Sequence, residues 1–191
     1  MPYDPQKHHR RSIRLKGYDY TQPGAYFVTL VAHQRDCLFG EIVDDKMRLN
    51  AVGELAQGIW LSLPRHFPAL TLDEWVIMPN HLHGVLVIGG AGEADHRKGE
   101  ASAVRLSGIA EPLAADASPL HGTQSASVGA IVQNYKSVTA RKINAHRRTP
   151  GALVWQRNYY EHIVRNDADL HRIRQYIVNN PLKWTLDDLH R

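Results

Sequence analysis

The sequence contains a single cysteine, Cys37, so no disulfide bond can form within the chain. One cysteine is also in keeping with a reducing compartment. Runs of 18 or more apolar residues are absent, and we therefore expect no membrane-spanning helix. The N-terminus has no apolar stretch typical of a secretory signal, because it begins with a polar, basic arm. These absences argue against a secreted, disulfide-stabilised domain and against a membrane protein.

Acidic residues are scarce in two segments that are rich in lysine and arginine. The net charge is +4, but residues 1–16 hold five basic residues against one acid, and residues 133–148 hold five and no acid. Such concentration favours a polyanionic partner, although a solvated helix face and a disordered arm would have the same composition. The basic residues predicted to contact phosphates are Arg10, Arg11, Arg14, Lys16, Lys136, Arg141 and Lys142.

The pattern of apolar residues predicts an α+β domain. Strands are predicted at 25–32, 70–78, 82–88 and 159–164, a hairpin at 40–49, and helices after the capping residues Asn50, Ser127 and Asn166, ending near Pro64, Pro150 and Pro181. This order matches a ferredoxin-like βαββαβ core with a hairpin after the first strand and an extra C-terminal helix. The strand at 82–88 is then central, and its exposed face is a natural site for function.

The chain divides into a core and three peripheral segments. Residues 1–20 form the basic N-terminal arm, 21–185 a single domain, and 186–191 a short tail. Within the domain, residues 89–126 are rich in glycine, alanine and serine and have no sustained periodicity, so we predict a mobile insertion there.

Two pairs of residues carry the chemistry. His81 and His83 are two apart at the start of a predicted strand, so both imidazoles lie on one face and can supply half of a metal site. Tyr176 and Asn180 are four apart on a predicted helix and share a face. Imidazoles suit Mn²⁺ and other first-row metals better than Mg²⁺, and the carbonyl oxygen of Asn180 would add a third ligand.

The tyrosine points to phosphoryl transfer. A divalent cation neutralises the charge that makes a phosphodiester hard to attack. A tyrosine, with its ordinary pKa of about 10, is a poor nucleophile without such help. Its advantage is that a phosphotyrosine conserves the bond energy, so a strand can be broken and rejoined. Taken singly, each pair also occurs as ordinary core residues, and only their combination with a basic helix predicts this chemistry.

Four blocks in order make the chain resemble a known family: Leu38–Ile42, Val76–Gly84, Trp155–His162 and Tyr176–Trp184. They are similar to the single-tyrosine HUH transposases, in particular the REP-associated tyrosine transposases, over about residues 10–185 apart from the insertion. The resemblance implies a ferredoxin-like HUH endonuclease that cuts single-stranded DNA beside REP hairpins. Cutting leaves a 5′-phosphotyrosine and a free 3′-hydroxyl.

The resemblance also implies roles for individual residues. His81-Leu82-His83 matches the HUH motif, Tyr176 matches the nucleophile, and Asn180 matches the third metal ligand, for which other branches have glutamine. It implies a divalent cofactor, Mg²⁺ or Mn²⁺, and a bacterial, cytoplasmic, nucleoid-associated protein that is a monomer or a homodimer.

Other interpretations stay open on sequence grounds. The chain can be a catalytically silent regulator of the same fold that binds DNA hairpins, or a phosphodiesterase that activates water. Tyr159 and Tyr160 are rival nucleophiles, although neither has an asparagine four residues on. His162 is expected to be a packed, hydrogen-bonded residue rather than a metal ligand.

Overall fold

The computed structural model describes residues 18–89 and 126–190. Most of the predicted basic arm and nearly all of the predicted insertion at 89–126 lie outside these residues, so the predicted domain boundaries stay predictions. Among the described helices, none has the length and apolar character needed to cross a membrane.

The described residues form an antiparallel sheet, a separate hairpin and three helices. The elements are β1 (Gly24–Val31), β2 (Gly40–Val43), β3 (Lys46–Leu49), α1 (Ala51–His66), β4 (Leu70–Met78), β5 (His81–Ile88), α2 (Val128–Arg147), β6 (Tyr160–Ile163) and α3 (Asp167–Asn179), with 3-10 segments at His33–Arg35 and Pro181–Leu186. The sheet order is β4-β5-β1-β6, and β2 pairs with β3. This arrangement confirms the predicted ferredoxin-like core, with β5 in a central position.

The two faces of the sheet are covered by different helices. On one face, alternate residues of β1 and β5 pack against α1 and α2 in the main core, which includes Trp60 and Tyr135. On the other face, a smaller cluster joins Phe27 and Val85 to residues of α3. His81 and His83 have the same strand parity as Val85, so they lie on the α3 face.

Gly84, on the main-core face of β5, allows α1 to pack closely on that strand. A Cβ atom built on Gly84 would lie 2.5 Å from a ring carbon of Trp60, which is closer than real Cβ contacts. Trp60 is fully buried. The small residue that follows His83 therefore sets how closely the helix layer approaches the histidine strand.

The predicted helix caps are present, but α1 ends later and α2 ends earlier, at Arg147, than predicted. The Asn50 side chain accepts hydrogen bonds from two backbone amides, and Asn166 accepts one. The predicted end of α1 at Pro64 was wrong, because the helix continues to His66. A proline disturbs mainly the turn that precedes it, and the amide of Phe67 still reaches the carbonyl of Leu63 at 3.0 Å.

A candidate metal and tyrosine site

His81 is oriented by the asparagine that precedes it. Its Nδ1 lies 2.8 Å from Oδ1 of Asn80. The Asn80 amide nitrogen donates to the carbonyls of Leu189 (2.7 Å) and Arg35 (3.1 Å), which leaves Oδ1 as the acceptor. Nδ1 of His81 therefore carries the proton, and Nε2 presents its lone pair. That Nε2 is buried and, among the described residues, has no hydrogen-bond partner.

His83 is oriented from the neighbouring strand. Thr29 pairs with His83 in the β1–β5 register, and its hydroxyl lies 2.8 Å from Nδ1. Phe27 stacks on the His83 ring with centroids 5.4 Å apart, and the two imidazole centroids are 4.4 Å apart. With Nδ1 engaged by Thr29, Nε2 of His83 faces the helix that carries the tyrosine.

Both imidazoles are held in the uncharged state that metal binding requires. Burial lowers the pKa of His81 to about 4, against smaller opposing effects from the Asp187 carboxylate and the Asn180 side chain. Burial also lowers the pKa of His83, and the neighbouring His81 lowers it further. Neutral imidazoles in an enclosed space are ligands for a divalent cation rather than for a phosphate.

Tyr176 reaches the histidines from α3. Its hydroxyl lies 3.2 Å from Nε2 of His83, its ring packs edge-on against Phe27, and 47% of the residue remains exposed. Burial raises the pKa of Tyr176, and the Asp187 carboxylate raises it further. The hydroxyl is therefore protonated at neutral pH, and about half of the residue is accessible to solvent.

Asn180 and Asp187 complete the cluster. Asn180 caps α3, and its amide nitrogen donates to Oδ2 of Asp187 at 3.2 Å. Oδ1 of Asn180 is buried and, within the described part of the chain, has no partner. Oδ2 of Asp187 lies 3.9 Å from Nε2 of His81. Ligand atoms of His81, His83 and Asp187 all lie within 4.8 Å of one another.

These residues fit a divalent metal ion. Nε2 of His81 and Oδ1 of Asn180 are buried polar atoms without hydrogen-bond partners among residues 18–89 and 126–190, and leaving such a group unsatisfied costs about 1–3 kcal/mol. A cation bound between them would satisfy both atoms at once. Two imidazoles, an amide oxygen and a carboxylate form a mixed nitrogen and oxygen set that suits first-row divalent metals.

The sequence did not identify Asp187, although it predicted the other members of the cluster. Asp187 follows the 3-10 segment Pro181–Leu186, and no periodicity relates it to the histidine strand. Its position depends on how the chain turns after α3. The proline that ends α3 was visible in the sequence, but the direction of the following segment was not.

The predicted basic residues of α2 are not brought to this cluster. The arm residues Arg10 to Lys16 lie outside the described residues. Helix α2 packs on the sheet face opposite the histidines. Lys136 donates from Nζ to the carbonyls of Gln156 (2.7 Å) and Asn158 (2.9 Å), whereas Arg141 and Lys142 are exposed. Contact of these residues with DNA stays a prediction.

The rival residues have other surroundings. Tyr160 lies on β6 opposite Thr29, half exposed, with its ring edge-on to Phe27. Nε2 of His162 lies 2.9 Å from Oδ2 of Asp169, which is a hydrogen-bonded role of the kind expected. The hydroxyl that approaches His83 belongs to Tyr176.

Comparison with known proteins supports the fold and identifies a relative. The solved structure of a REP-associated tyrosine transposase bound to a REP hairpin matches with a TM-score of 0.51 and 16% identity, covering 90% of this chain and 74% of that one. The chain thus has the HUH transposase fold that its motifs predicted. A second structure, of a Deinococcus radiodurans protein provisionally classed as a transposase, matches at a TM-score of only 0.45, with 17% identity over 88% of this chain and 97% of that one.

The chain is also 40% identical over 189 residues to an uncharacterised protein of Haemophilus influenzae, covering 98% of this chain and 97% of the relative. The chain therefore belongs to the same family as that protein. No family model matches the sequence.

Proposed function

We propose that this protein is a metal-dependent endonuclease and transposase of single-stranded DNA, which cleaves beside hairpins through Tyr176 and rejoins strands. The observation that carries the proposal is the Tyr176 hydroxyl 3.2 Å from Nε2 of His83. It lies next to buried atoms of His81 and Asn180 that have no hydrogen-bond partner in the described part of the chain. A nucleophile adjoining a set of metal ligands suits covalent phosphoryl transfer. The hairpin bound by the REP-associated transposase of the same fold supports hairpin DNA as the partner.

Each residue has a separate task in this proposal. His81, His83 and Asn180 hold the cation, Mn²⁺ or Mg²⁺, which when bound neutralises the scissile phosphate and orients it. Tyr176 forms a bond from its oxygen to phosphorus while the bond from phosphorus to the 3′ oxygen breaks. The phenolic proton passes to water on the exposed side of Tyr176, and the departing 3′ oxygen takes up a proton. The products are a 5′-phosphotyrosine and a 3′-hydroxyl, and the reverse reaction reseals the strand.

The tyrosine distinguishes this function from its two alternatives. A phosphodiesterase that activates water has no need of a tyrosine oriented toward the metal ligands. A silent DNA-binding regulator has no need of unpartnered, buried ligand atoms, since each costs stability. The combination of both features in one cluster favours strand cleavage and transfer.

DNA binding is proposed to depend on the basic residues as well as on the site. Arg10, Arg11, Arg14 and Lys16 of the arm, together with Arg141 and Lys142 of α2, would contact the phosphate backbone and make binding salt-dependent. Lys136 would act by holding the loop at residues 156–158. We further propose that the protein works in the bacterial cytoplasm, as a monomer or a homodimer.

The direct test is incubation with an end-labelled single-stranded hairpin oligonucleotide and Mn²⁺, followed by denaturing gel electrophoresis. A covalent adduct that survives denaturation, together with a labelled fragment bearing a 3′-hydroxyl, is expected. Cleavage without an adduct would instead identify a phosphodiesterase, and binding without cleavage would identify a regulator.

A further inference from the structure

The segment that follows Pro181–Leu186 returns to the histidines and is fixed there by several contacts. The amide of Asn80 donates to the carbonyl of Leu189 at 2.7 Å. The guanidinium of Arg35 donates to the carbonyl of Asp188 at 2.9 Å. Trp184, which is buried, lies between the rings of His81 and His190, at centroid distances of 5.9 Å and 4.8 Å. We call residues 187–190 the C-terminal strap.

The strap delivers one carboxylate to the metal ligands. Oδ1 of Asp187 accepts from the backbone amide of Leu189 at 2.7 Å, which orients the group within the strap. Oδ2 accepts from Asn180 and points toward Nε2 of His81, 3.9 Å away. That separation is too long for a hydrogen bond. Two ligand atoms that each bond one ion at about 2.1 Å lie about 3–4 Å apart. The separation of 3.9 Å between Oδ2 of Asp187 and Nε2 of His81 falls within that range.

We propose that Asp187 is a metal ligand in addition to the two histidines and Asn180, and that seating of the C-terminal strap and metal binding are coupled. The inference rests on the metal site of the proposed function and extends it. A carboxylate adds one negative charge to an otherwise neutral ligand set, and it therefore raises affinity for a divalent cation. Because one asparagine, Asn80, bonds both His81 and the strap, ordering either part favours the other.

Metal affinity measured on the full chain tests the role of Asp187. Isothermal titration with Mn²⁺ is compared for the wild type, Asp187→Asn, Asp187→Ala and the control Asp188→Asn. Asp188 is the exposed neighbour, and its contact with Arg35 uses only the backbone. We expect both Asp187 variants to bind Mn²⁺ at least about tenfold more weakly than the wild type. The Mn²⁺ affinity of Asp188→Asn should stay within about twofold of the wild-type value. Circular dichroism in chelator confirms that each variant is folded.

A companion variant separates this inference from the proposed function. His81→Ala is expected to weaken Mn²⁺ binding at least as much as the Asp187 variants. Loss with His81→Ala but unchanged affinity in both Asp187 variants would overturn the ligand role of Asp187 and leave the metal site intact. Unchanged Mn²⁺ affinity in His81→Ala and in both Asp187 variants would overturn the metal site of the proposed function as well.

Hydrogen exchange tests the coupling directly. Mn²⁺ should slow exchange of the amides of Leu189 and His190 in the wild type, because both amides bond to Asp187. In Asp187→Ala the same addition of Mn²⁺ should slow strap exchange less, because only the coupling through Asn80 remains. Arg35→Ala, which removes the anchor on Asp188, should weaken Mn²⁺ binding, whereas Arg48→Ala, at an exposed hairpin position whose ion pair is with Asp44, should not. Strap exchange that is indifferent to Mn²⁺ in the wild type would overturn the coupling.

Discussion

Thr29 and His83 face each other across β1 and β5, with the threonine hydroxyl 2.8 Å from Nδ1 of the imidazole. The pair is buried on the α3 face of the sheet. Holding Nδ1 in this way fixes the orientation of the ring, and the threonine hydroxyl can accept the Nδ1 proton when Nε2 binds a metal. The direction in which His83 presents Nε2 is therefore set by a residue from another strand.

Replacing Thr29 with valine keeps the shape of the side chain and removes the hydroxyl. We expect the Thr29→Val protein to fold normally and to bind Mn²⁺ roughly 10–100-fold more weakly, the range typical of lost outer-shell partners. Isothermal titration measures the affinity. Thr71→Val, at an exposed position of β4, is the matched control, and equal affinities for the two variants would contradict the orienting role of Thr29.

Tyr176→Phe removes one oxygen and retains the ring that packs on Phe27. We expect no covalent adduct with a single-stranded hairpin oligonucleotide, while DNA affinity stays within twofold of the wild type, about 0.4 kcal/mol. The adduct is measured on a denaturing gel and the affinity by fluorescence anisotropy. Tyr160→Phe, the half-exposed neighbour on β6, should keep adduct formation. An adduct that persists in Tyr176→Phe and vanishes in Tyr160→Phe would reassign the nucleophile.

The packing of α1 on the histidine strand leads to a stability prediction. In Gly84→Ala the added methyl group meets the Trp60 ring, and we expect a loss of about 1–3 kcal/mol in the free energy of unfolding. Gly58→Ala is the control in the same helix layer, since a Cβ there has no neighbour within 4 Å. That change should be stabilising by up to about 1 kcal/mol. Urea denaturation measures the free energy of unfolding of both variants, and equal stabilities would contradict the close packing of Trp60 on Gly84.

The sequence predicted the sheet and the proximity of the two residue pairs, for identifiable reasons. The alternation at His81 and His83 and the spacing of Tyr176 and Asn180 are local properties of a strand and a helix. Docking these two elements in a ferredoxin-like core then brings the pairs together. Asp187 could not be found in the same way, because its approach to His81 depends on the strap contacts made by Asn80 and Arg35.

Local sequence patterns also could not predict which face of the sheet the basic helix α2 covers. The sequence indicates that the basic residues of α2 lie mostly off its apolar stripe, but not which face of the sheet the helix covers. The bonds from Lys136 to the carbonyls of Gln156 and Asn158 are tertiary contacts that composition does not reveal. Lys136, which composition alone assigns to the charged surface, therefore anchors the loop at residues 156–158.

An ion pair that fixes α3 on the sheet should make stability depend on pH. Arg174 donates to both carboxylate oxygens of Asp73, at 2.7 Å and 2.5 Å, and these bonds lower the pKa of Asp73. A carboxyl with a lowered pKa in the folded state contributes stability above its unfolded pKa, near 3.8. The contribution is lost as the pH falls through the lower folded value.

Asp73→Asn should therefore cost about 1 kcal/mol or less of unfolding free energy at pH 7, since the pair is partly exposed. The difference from the wild type should shrink as the pH is lowered below 4, in the sense set by linkage. Urea denaturation at a series of pH values measures this, with Asp45→Asn on the exposed hairpin turn as control. A difference that grows at low pH would contradict the assignment.

The last prediction concerns the strand preference of cleavage. His81 and His83 are almost fully buried, while the hydroxyl of Tyr176 approaches them from α3. A scissile phosphate must enter this recess and align with the tyrosine oxygen at about 3–3.5 Å. A duplex holds its backbone on a stiff cylinder and resists that turn, whereas an unpaired strand beside a hairpin does not. Because a misplacement of 1 Å can cost about 100-fold in rate, we expect cleavage of a matched blunt duplex to be slower by about that factor or more. Gel assays at equal Mn²⁺ and saturating protein compare the two substrates, and equal rates would exclude the recess as the site of attack.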